Sequence, residues 1–179
     1  EEGTPIHERP SAIGRVQQAQ YLARSYLLFA GMGVDRAYVY FYQDDGPQEG
    51  LHNASGLISK GLEQPAFHAL ASLKGNLGDY RFSRVLTADP QGVYVYLFAA
   101  DDAGVCVVLW SPTRNGDERA CVLDLGAAGL RDFALTRAAE LALDEGPEAT
   151  VAAAMDGGRL KVQATGTPRL LFFEPSGGQ

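Results

Sequence analysis

The sequence predicts two successive folds, a mixed α/β segment over residues 1–78 and an all-β domain over residues 79–179. In the first part, the apolar residues follow the order helix, strand, helix. In the second part, short apolar stretches recur at close intervals, as they do in antiparallel sheets. Turn-forming pairs such as Asn115-Gly116 separate several of these stretches. The second part is therefore predicted to be an antiparallel β-sandwich of jelly-roll type.

The first predicted helix covers residues 13–30, where apolar side chains recur at helical spacing and Gly31 offers a C-terminal stop. The next element is a strand at residues 36–42 that carries apolar or aromatic residues on both faces. Such a strand is typical of a parallel sheet covered by helices. A second helix then begins at Pro65, because proline suits the first helical turn.

Eight short strands are predicted in the second part of the chain. The second of them is apolar on both faces, so we expect it to be central in its sheet. The predicted strands cover residues 80–86, 92–100, 105–111, 119–125, 132–137, 150–155, 159–164 and 169–174.

Composition excludes several classes of function. The formal net charge of −7 argues against a nucleic-acid partner, which would favour a basic patch. No apolar run reaches the roughly 18 residues that a membrane span requires. No Cys/His spacing resembles a zinc site, so no metal and no other cofactor is expected. Cys106 and Cys121 lie on successive predicted strands; they either pair or are two small buried apolar residues, and the second interpretation is favoured.

The first part of the chain resembles the end of a (β/α)8-barrel glycoside hydrolase of clan A. The resemblance is carried by the strand RAYVYFYQDD, residues 36–45, and by the Gly-rich loop and Pro-led helix in GLHNASGLISKGLEQPAFHAL, residues 50–70. The helix QQAQYLARSYLLFAGMGV, residues 17–34, precedes them in the same order. A β-sandwich directly after the last barrel helix is similar to family 39. The resemblance implies the last β/α units of a TIM barrel followed by a sandwich domain.

The same resemblance implies a chemistry. Retaining enzymes of this clan place a nucleophilic glutamate at the end of barrel strand 7, often as Glu-x-Gly, and hydrolyse poly- or oligosaccharides through a covalent glycosyl intermediate. Glu1 with Gly3 matches that pattern, and Glu2 is the second choice. The alternative is that Glu1 and Glu2 are merely solvated acidic residues at a chain terminus.

Five further residues are implied as sugar-binding by their place at the end of strand 8 and in the loop after it. Barrel active sites are built at that face. Aromatic rings stack on sugars, while amides and carboxylates satisfy sugar hydroxyls. The residues are Tyr42, Gln43, Asp44, His52 and Asn53. The alternatives are that Asp44 belongs to a turn and that His52 is an ordinary exposed loop residue.

The chain is expected to be catalytically inert alone, because two β/α units cannot close an eight-stranded barrel. The Asn-Glu pair that supplies the general acid/base in this clan is also absent. The remainder of the barrel, in the same polypeptide or in another chain, is therefore the expected partner beside a carbohydrate substrate. The alternative function is a non-catalytic carbohydrate-binding or interaction module, which needs exposed aromatic residues on the sandwich. Trp110, the only tryptophan, is either such a platform or a core residue, and the core is favoured.

Overall fold

The computed structural model describes residues 13–44, 55–89, 91–101, 104–112 and 117–177. Within these residues the fold is mixed α/β, with two helices and mostly antiparallel sheets. The chain divides into two compact units. Unit 1 comprises Glu1–Ser72 with Ala142–Pro147, and unit 2 comprises Leu73–Leu141 with Glu148–Gln179. Neither described helix is long and apolar enough to cross a membrane.

The elements follow one another in an order close to the prediction, because alternating apolar patterns and turn residues are local signals. In chain order they are α1 (Arg15–Gly31), β1 (Ile58–Ser59), β2 (Leu62–Glu63), α2 (Pro65–Leu77), β3 (Tyr80–Ala88), β4 (Tyr94–Ala100), β5 (Val105–Trp110), β6 (Arg119–Asp124), β7 (Phe133–Glu140), β8 (Ala149–Thr150), β9 (Ala153–Asp156), β10 (Arg159–Ala164) and β11 (Arg169–Pro175).

Helix α1 ends in a glycine-dependent cap. Gly33 adopts a positive φ of 72°, a conformation that residues with a Cβ rarely accept. Its N–H donates to the carbonyl of Ala30 at 3.2 Å, and the N–H of Val34 donates to the carbonyl of Phe29 at 3.0 Å. These two bonds satisfy carbonyls that the end of a helix would otherwise leave open. The predicted start of the second helix at Pro65 is confirmed.

The prediction of a strand at residues 36–42 is wrong for this chain. The segment has no regular secondary structure, and the one described ladder contact next to it is a parallel bridge from Gln43 to Ile58. A parallel strand takes its backbone hydrogen bonds from flanking strands along its length, whereas the ladder here is a single bridge at one end, where the N–H of Ile58 donates to the carbonyl of Tyr42 at 2.9 Å. The expected burial of both faces is therefore also absent.

Six strands of unit 2 form one antiparallel sheet in the order β3-β4-β5-β11-β7-β8. The prediction that strand β4 is central is confirmed, because β3 and β5 flank it. Strand β5 is buried at all six of its positions, so both faces of the sheet are covered there. One of these faces carries aromatic side chains, and on it Tyr94 of β4 lies opposite Trp110 of β5.

The other three strands form a second antiparallel sheet, in the order β6-β10-β9. Its inward residues, such as Leu123 and Leu160, join one hydrophobic cluster with Leu97 and Val107 of the larger sheet. The single strand predicted at residues 150–155 is in fact divided between the sheets, since β8 pairs with β7 and β9 pairs with β10. One continuous apolar stretch thus contributes to both sheets.

Candidate functional site

The candidate site lies in unit 1, where residues 42–44 meet the residues that lead into β1. The backbone N–H of Asp44 donates to the carbonyl of Ile58 at 2.9 Å, and the N–H of Ile58 donates to the carbonyl of Tyr42 at 2.9 Å. The side-chain amide of Gln18, on α1, donates to the carbonyl of Ser55 at 2.8 Å. Helix α1 and residues 42–44 therefore hold residues 55–58 from two sides.

The carboxylate of Asp44 is at the centre of this arrangement. Its Oδ1 accepts the backbone N–H of Gly56 at 2.6 Å, and its Oδ2 lies 3.4 Å from the guanidinium of Arg15. Only 3% of the Asp44 side chain is exposed. A Cβ on residue 56 would lie 2.6 Å from the backbone nitrogen of Asp44, so this close approach requires glycine. The carboxylate thus bonds to protein groups within the unit.

A row of tyrosines runs along the same segment. Tyr38, Tyr40 and Tyr42 are 83%, 76% and 62% exposed. The ring of Tyr40 lies against that of Phe41, with 3.5 Å between the ring centroids. Three exposed aromatic side chains within five residues are candidate contacts for a partner or ligand. We call these three residues the tyrosine row.

The structure brings Tyr42, Gln43 and Asp44 together beside residues 55–58, although it gives the three residues different environments. Tyr42 and Gln43 are exposed, whereas Asp44 points into the protein. Glu1, Glu2, His52 and Asn53 lie outside the described residues, so their assignment stays a prediction.

Sequence reasoning missed two residues of this site, Arg15 and Gly56. Arg15 is 29 positions from Asp44, and no local pattern connects them. Gly56 was one glycine among 21, and only the approach of the Asp44 backbone distinguishes it. A glycine placed next to an apolar stretch in a presumed site loop is the signal that could have identified it.

Trp110 is confirmed as a core residue. It is 1% exposed, and its ring centroid lies 5.1 Å from that of Tyr94 in a stacked pair and 4.9 Å from that of Tyr96 in a T-shaped pair. Among the described residues of unit 2, the large apolar side chains that are exposed are Val85, Val122 and Met155, and none of them is aromatic. The aromatic platform required by the binding-module alternative is therefore missing from the described part of this unit.

The two thiols are unpaired and buried, which confirms the favoured interpretation of Cys106 and Cys121. Burial raises the pKa of both thiols, most strongly that of Cys106. A thiol with a raised pKa forms little of the nucleophilic thiolate, so neither is suited to covalent catalysis. Over the described ranges, no group of three or more His, Cys, Asp or Glu side chains is arranged to hold a metal ion.

Comparison with known proteins gives matches among solved structures alone. No family model matches the chain, and no curated protein matches it. A family 39 glycoside hydrolase from the gut symbiont Bacteroides cellulosilyticus WH2 matches with a TM-score of 0.65 and 21% identity, over 89% of this chain and 31% of that one. The catalytic domain of GH30 xylanase C from Talaromyces cellulolyticus matches with a TM-score of 0.45 and 18% identity, over 68% of this chain and 27% of that one.

The first of these likenesses covers most of the chain, while the chain spans less than a third of the family 39 structure's length. At 21% identity the likeness concerns the fold. It agrees with a mixed α/β part followed by antiparallel sheets, which is the order of elements seen here. This chain therefore has a glycoside hydrolase-like fold and corresponds to part of such a structure.

Proposed function

We propose that this chain is the C-terminal portion of a retaining glycoside hydrolase that acts on a poly- or oligosaccharide. In this proposal residues 1–78 are the last β/α units of a (β/α)8 barrel, and residues 79–179 are its trailing β-sandwich. The likeness in fold to a family 39 glycoside hydrolase, over 89% of this chain, is the observation that carries the proposal.

The open tyrosine row supports an incomplete barrel. Segment 36–42 has the composition of a strand buried on both faces, yet Tyr38 and Tyr40 are more than three-quarters exposed. Burying an aromatic side chain contributes roughly 1.5–3 kcal/mol, so three uncovered rings favour association with further chain. The remaining strands of a barrel, in the same polypeptide or in another one, would cover these rings and pair with segment 36–42 along its length.

The proposed sugar contacts come from the end of this segment. Tyr42 offers an exposed ring for stacking and Gln43 an exposed amide for hydroxyl groups. His52 and Asn53 are proposed to contribute from the loop that follows. Glu1 is proposed as the nucleophile, with the general acid/base supplied by the absent part of the barrel.

Intact-mass measurement of the protein from its source tests whether more polypeptide belongs to the enzyme. The chain alone has a mass of 19.2 kDa, and a (β/α)8 barrel requires roughly 250 residues. We expect either a single polypeptide heavier than this chain by some hundreds of residues, or a stable complex with a second chain. A source protein of 19.2 kDa that is monomeric and active would contradict the proposal.

Activity assays test the chemistry. The longer polypeptide is expected to hydrolyse one or more members of a panel of p-nitrophenyl β-glycosides with retention at the anomeric carbon, as followed by proton NMR, while the 179-residue chain hydrolyses none. Glu1→Gln should remove most of the activity with the fold intact, because an amide cannot form the glycosyl ester. Glu2→Gln is the matched control and should have a milder effect. Turnover by the 179-residue chain alone would overturn the incomplete barrel and the assignment of Glu1.

A further inference from the structure

We propose that Asp44 is a positioning residue of the candidate sugar site rather than a sugar ligand. Its carboxylate fixes the end of segment 36–44 to Gly56 and to Arg15 of α1, and it thereby sets where Tyr42 and Gln43 present their side chains. This inference deepens the proposed function, because it gives a different role to one residue of the same site.

The first support is the direction and burial of the carboxylate. A group that binds a sugar hydroxyl must reach solvent, yet only 3% of the Asp44 side chain is exposed. Its two oxygens are directed at protein donors, the Gly56 N–H at 2.6 Å and the Arg15 guanidinium at 3.4 Å. A buried carboxylate that lost these donors would be costly, so Asp44 has a strong reason to keep this orientation.

The second support is the backbone geometry around it. Three hydrogen bonds converge within a few residues: Gly56 to the Asp44 carboxylate, Asp44 N–H to Ile58, and Ile58 N–H to Tyr42. The Gln43–Ile58 bridge lies within the same ladder. Release of the carboxylate would free the Gly56 amide first, and the two backbone bonds beside it would then lose their support.

Arg15 connects this arrangement to α1. Its guanidinium nitrogen faces Asp44, and Gln18, one turn further along the helix, bonds the carbonyl of Ser55. Helix α1 therefore holds both sides of the junction, residues 42–44 through Arg15 and residues 55–58 through Gln18. The candidate site is thus built on a regular helix, which gives more precise positioning than a loop alone.

Amide hydrogen exchange by NMR on the 179-residue chain tests the proposal without any sugar. In Asp44→Ala, the amides of Gly56 and Ile58 should exchange at least about tenfold faster than in wild type. Exchange requires local opening of the backbone, and in this variant the opening no longer has to break the hydrogen bond from Gly56 to the Asp44 carboxylate. In Asp44→Asn the amide oxygen still accepts the Gly56 N–H, so the increase should be no more than about threefold. Asp35→Asn, at an exposed position in the same unit, is the matched control and should leave both amides unchanged.

A second perturbation reaches the same contact from the other side. Gly56→Ala places a Cβ against the Asp44 backbone, so it should accelerate exchange at Ile58, and the double variant Asp44→Ala/Gly56→Ala should add little to either single one. If Asp44→Ala does not fold, the comparison of Asp44→Asn with wild type carries the test. Unchanged exchange at Gly56 in Asp44→Ala, or a Gly56 amide in folded Asp44→Asn as labile as in the unfolded chain, would overturn the proposal.

Steady-state kinetics on the longer polypeptide then separates positioning from direct sugar contact. A positioning role predicts that Asp44→Asn recovers at least about tenfold in kcat/KM relative to Asp44→Ala, since it retains the acceptor for Gly56. A direct sugar contact predicts that KM rises in both variants while exchange at Gly56 stays at the wild-type rate, and that result would overturn the proposal. If the longer polypeptide hydrolyses no glycoside, the proposed function fails, and the exchange result still decides the role of Asp44 in the fold.

Discussion

Truncation of Trp110 to alanine should strongly destabilise unit 2, although this residue touches no proposed sugar site. The ring is 1% exposed, stacks on Tyr94 with an interplanar angle of 6°, and forms a T-shaped pair with Tyr96. Strand β5 holds it directly opposite Tyr94 across the ladder, so neither ring can move without disturbing the sheet. The structure therefore offers little chance for the site to collapse around a missing ring.

The magnitude follows from two contributions. Truncation of a buried tryptophan to alanine costs about 3–5 kcal/mol, including the cavity that remains. Within that total, two aromatic pairs account for roughly 0.5–1.5 kcal/mol each. Trp110→Leu keeps much of the apolar volume but loses both pairs, whereas Trp110→Phe keeps a ring that can stack. We therefore expect the free energy of unfolding to fall most in the alanine variant, less in the leucine variant and least in the phenylalanine variant.

Urea unfolding followed by far-UV circular dichroism measures this series, because removal of the only tryptophan also removes its fluorescence. Val122→Ala, at a side chain that is 57% exposed, is the control and should change stability by no more than about 0.5 kcal/mol. In wild type the tryptophan should also resist quenching by acrylamide until the chain unfolds. A loss below about 1 kcal/mol in Trp110→Ala, or free quenching in the folded chain, would refute the reasoning from burial and stacking.

Two further predictions concern titratable groups of unit 2. Burial raises the pKa of the Cys106 and Cys121 thiols, so both should react slowly with a thiol reagent in the folded chain. In denaturant without reductant, two free thiols should be titrated, because the two cysteines form no disulfide. A count below two would contradict the unpaired state. The pKa of Asp124 is lowered from 3.8, first of all by the hydrogen bond that the Ala127 N–H donates to the carboxylate. The carboxylate therefore stabilises the fold at pH values above its unfolded pKa, and this stabilisation is lost as the pH falls through its folded pKa. Asp124→Ala should therefore lower Tm slightly at neutral pH, with a difference from wild type that shrinks in acid; an equal difference at both pH values would contradict this account.

The glycoside hydrolase-like fold could be anticipated from the order of elements, but the candidate site could be anticipated only in part. Tyr42 and Gln43 are exposed at the end of their segment, as a sugar-contacting role requires. Asp44 has the same local sequence context and yet is buried against Gly56 and Arg15. Spacing along the chain does not reveal which side chain turns inward, because that depends on donors brought close by folding.

The sequence by itself determined where most strands begin and end. Strand β10, for example, has the bounds expected from the alternation of its residues, since that alternation and its flanking turns are local properties. Only the tertiary structure decided which strands pair, placing β11 between β5 and β7 and dividing residues 149–156 between two sheets. It also decided that segment 36–42 joins no sheet, because a strand needs a neighbouring strand that is brought alongside it by folding, and the ladder among the described residues is one bridge between Gln43 and Ile58.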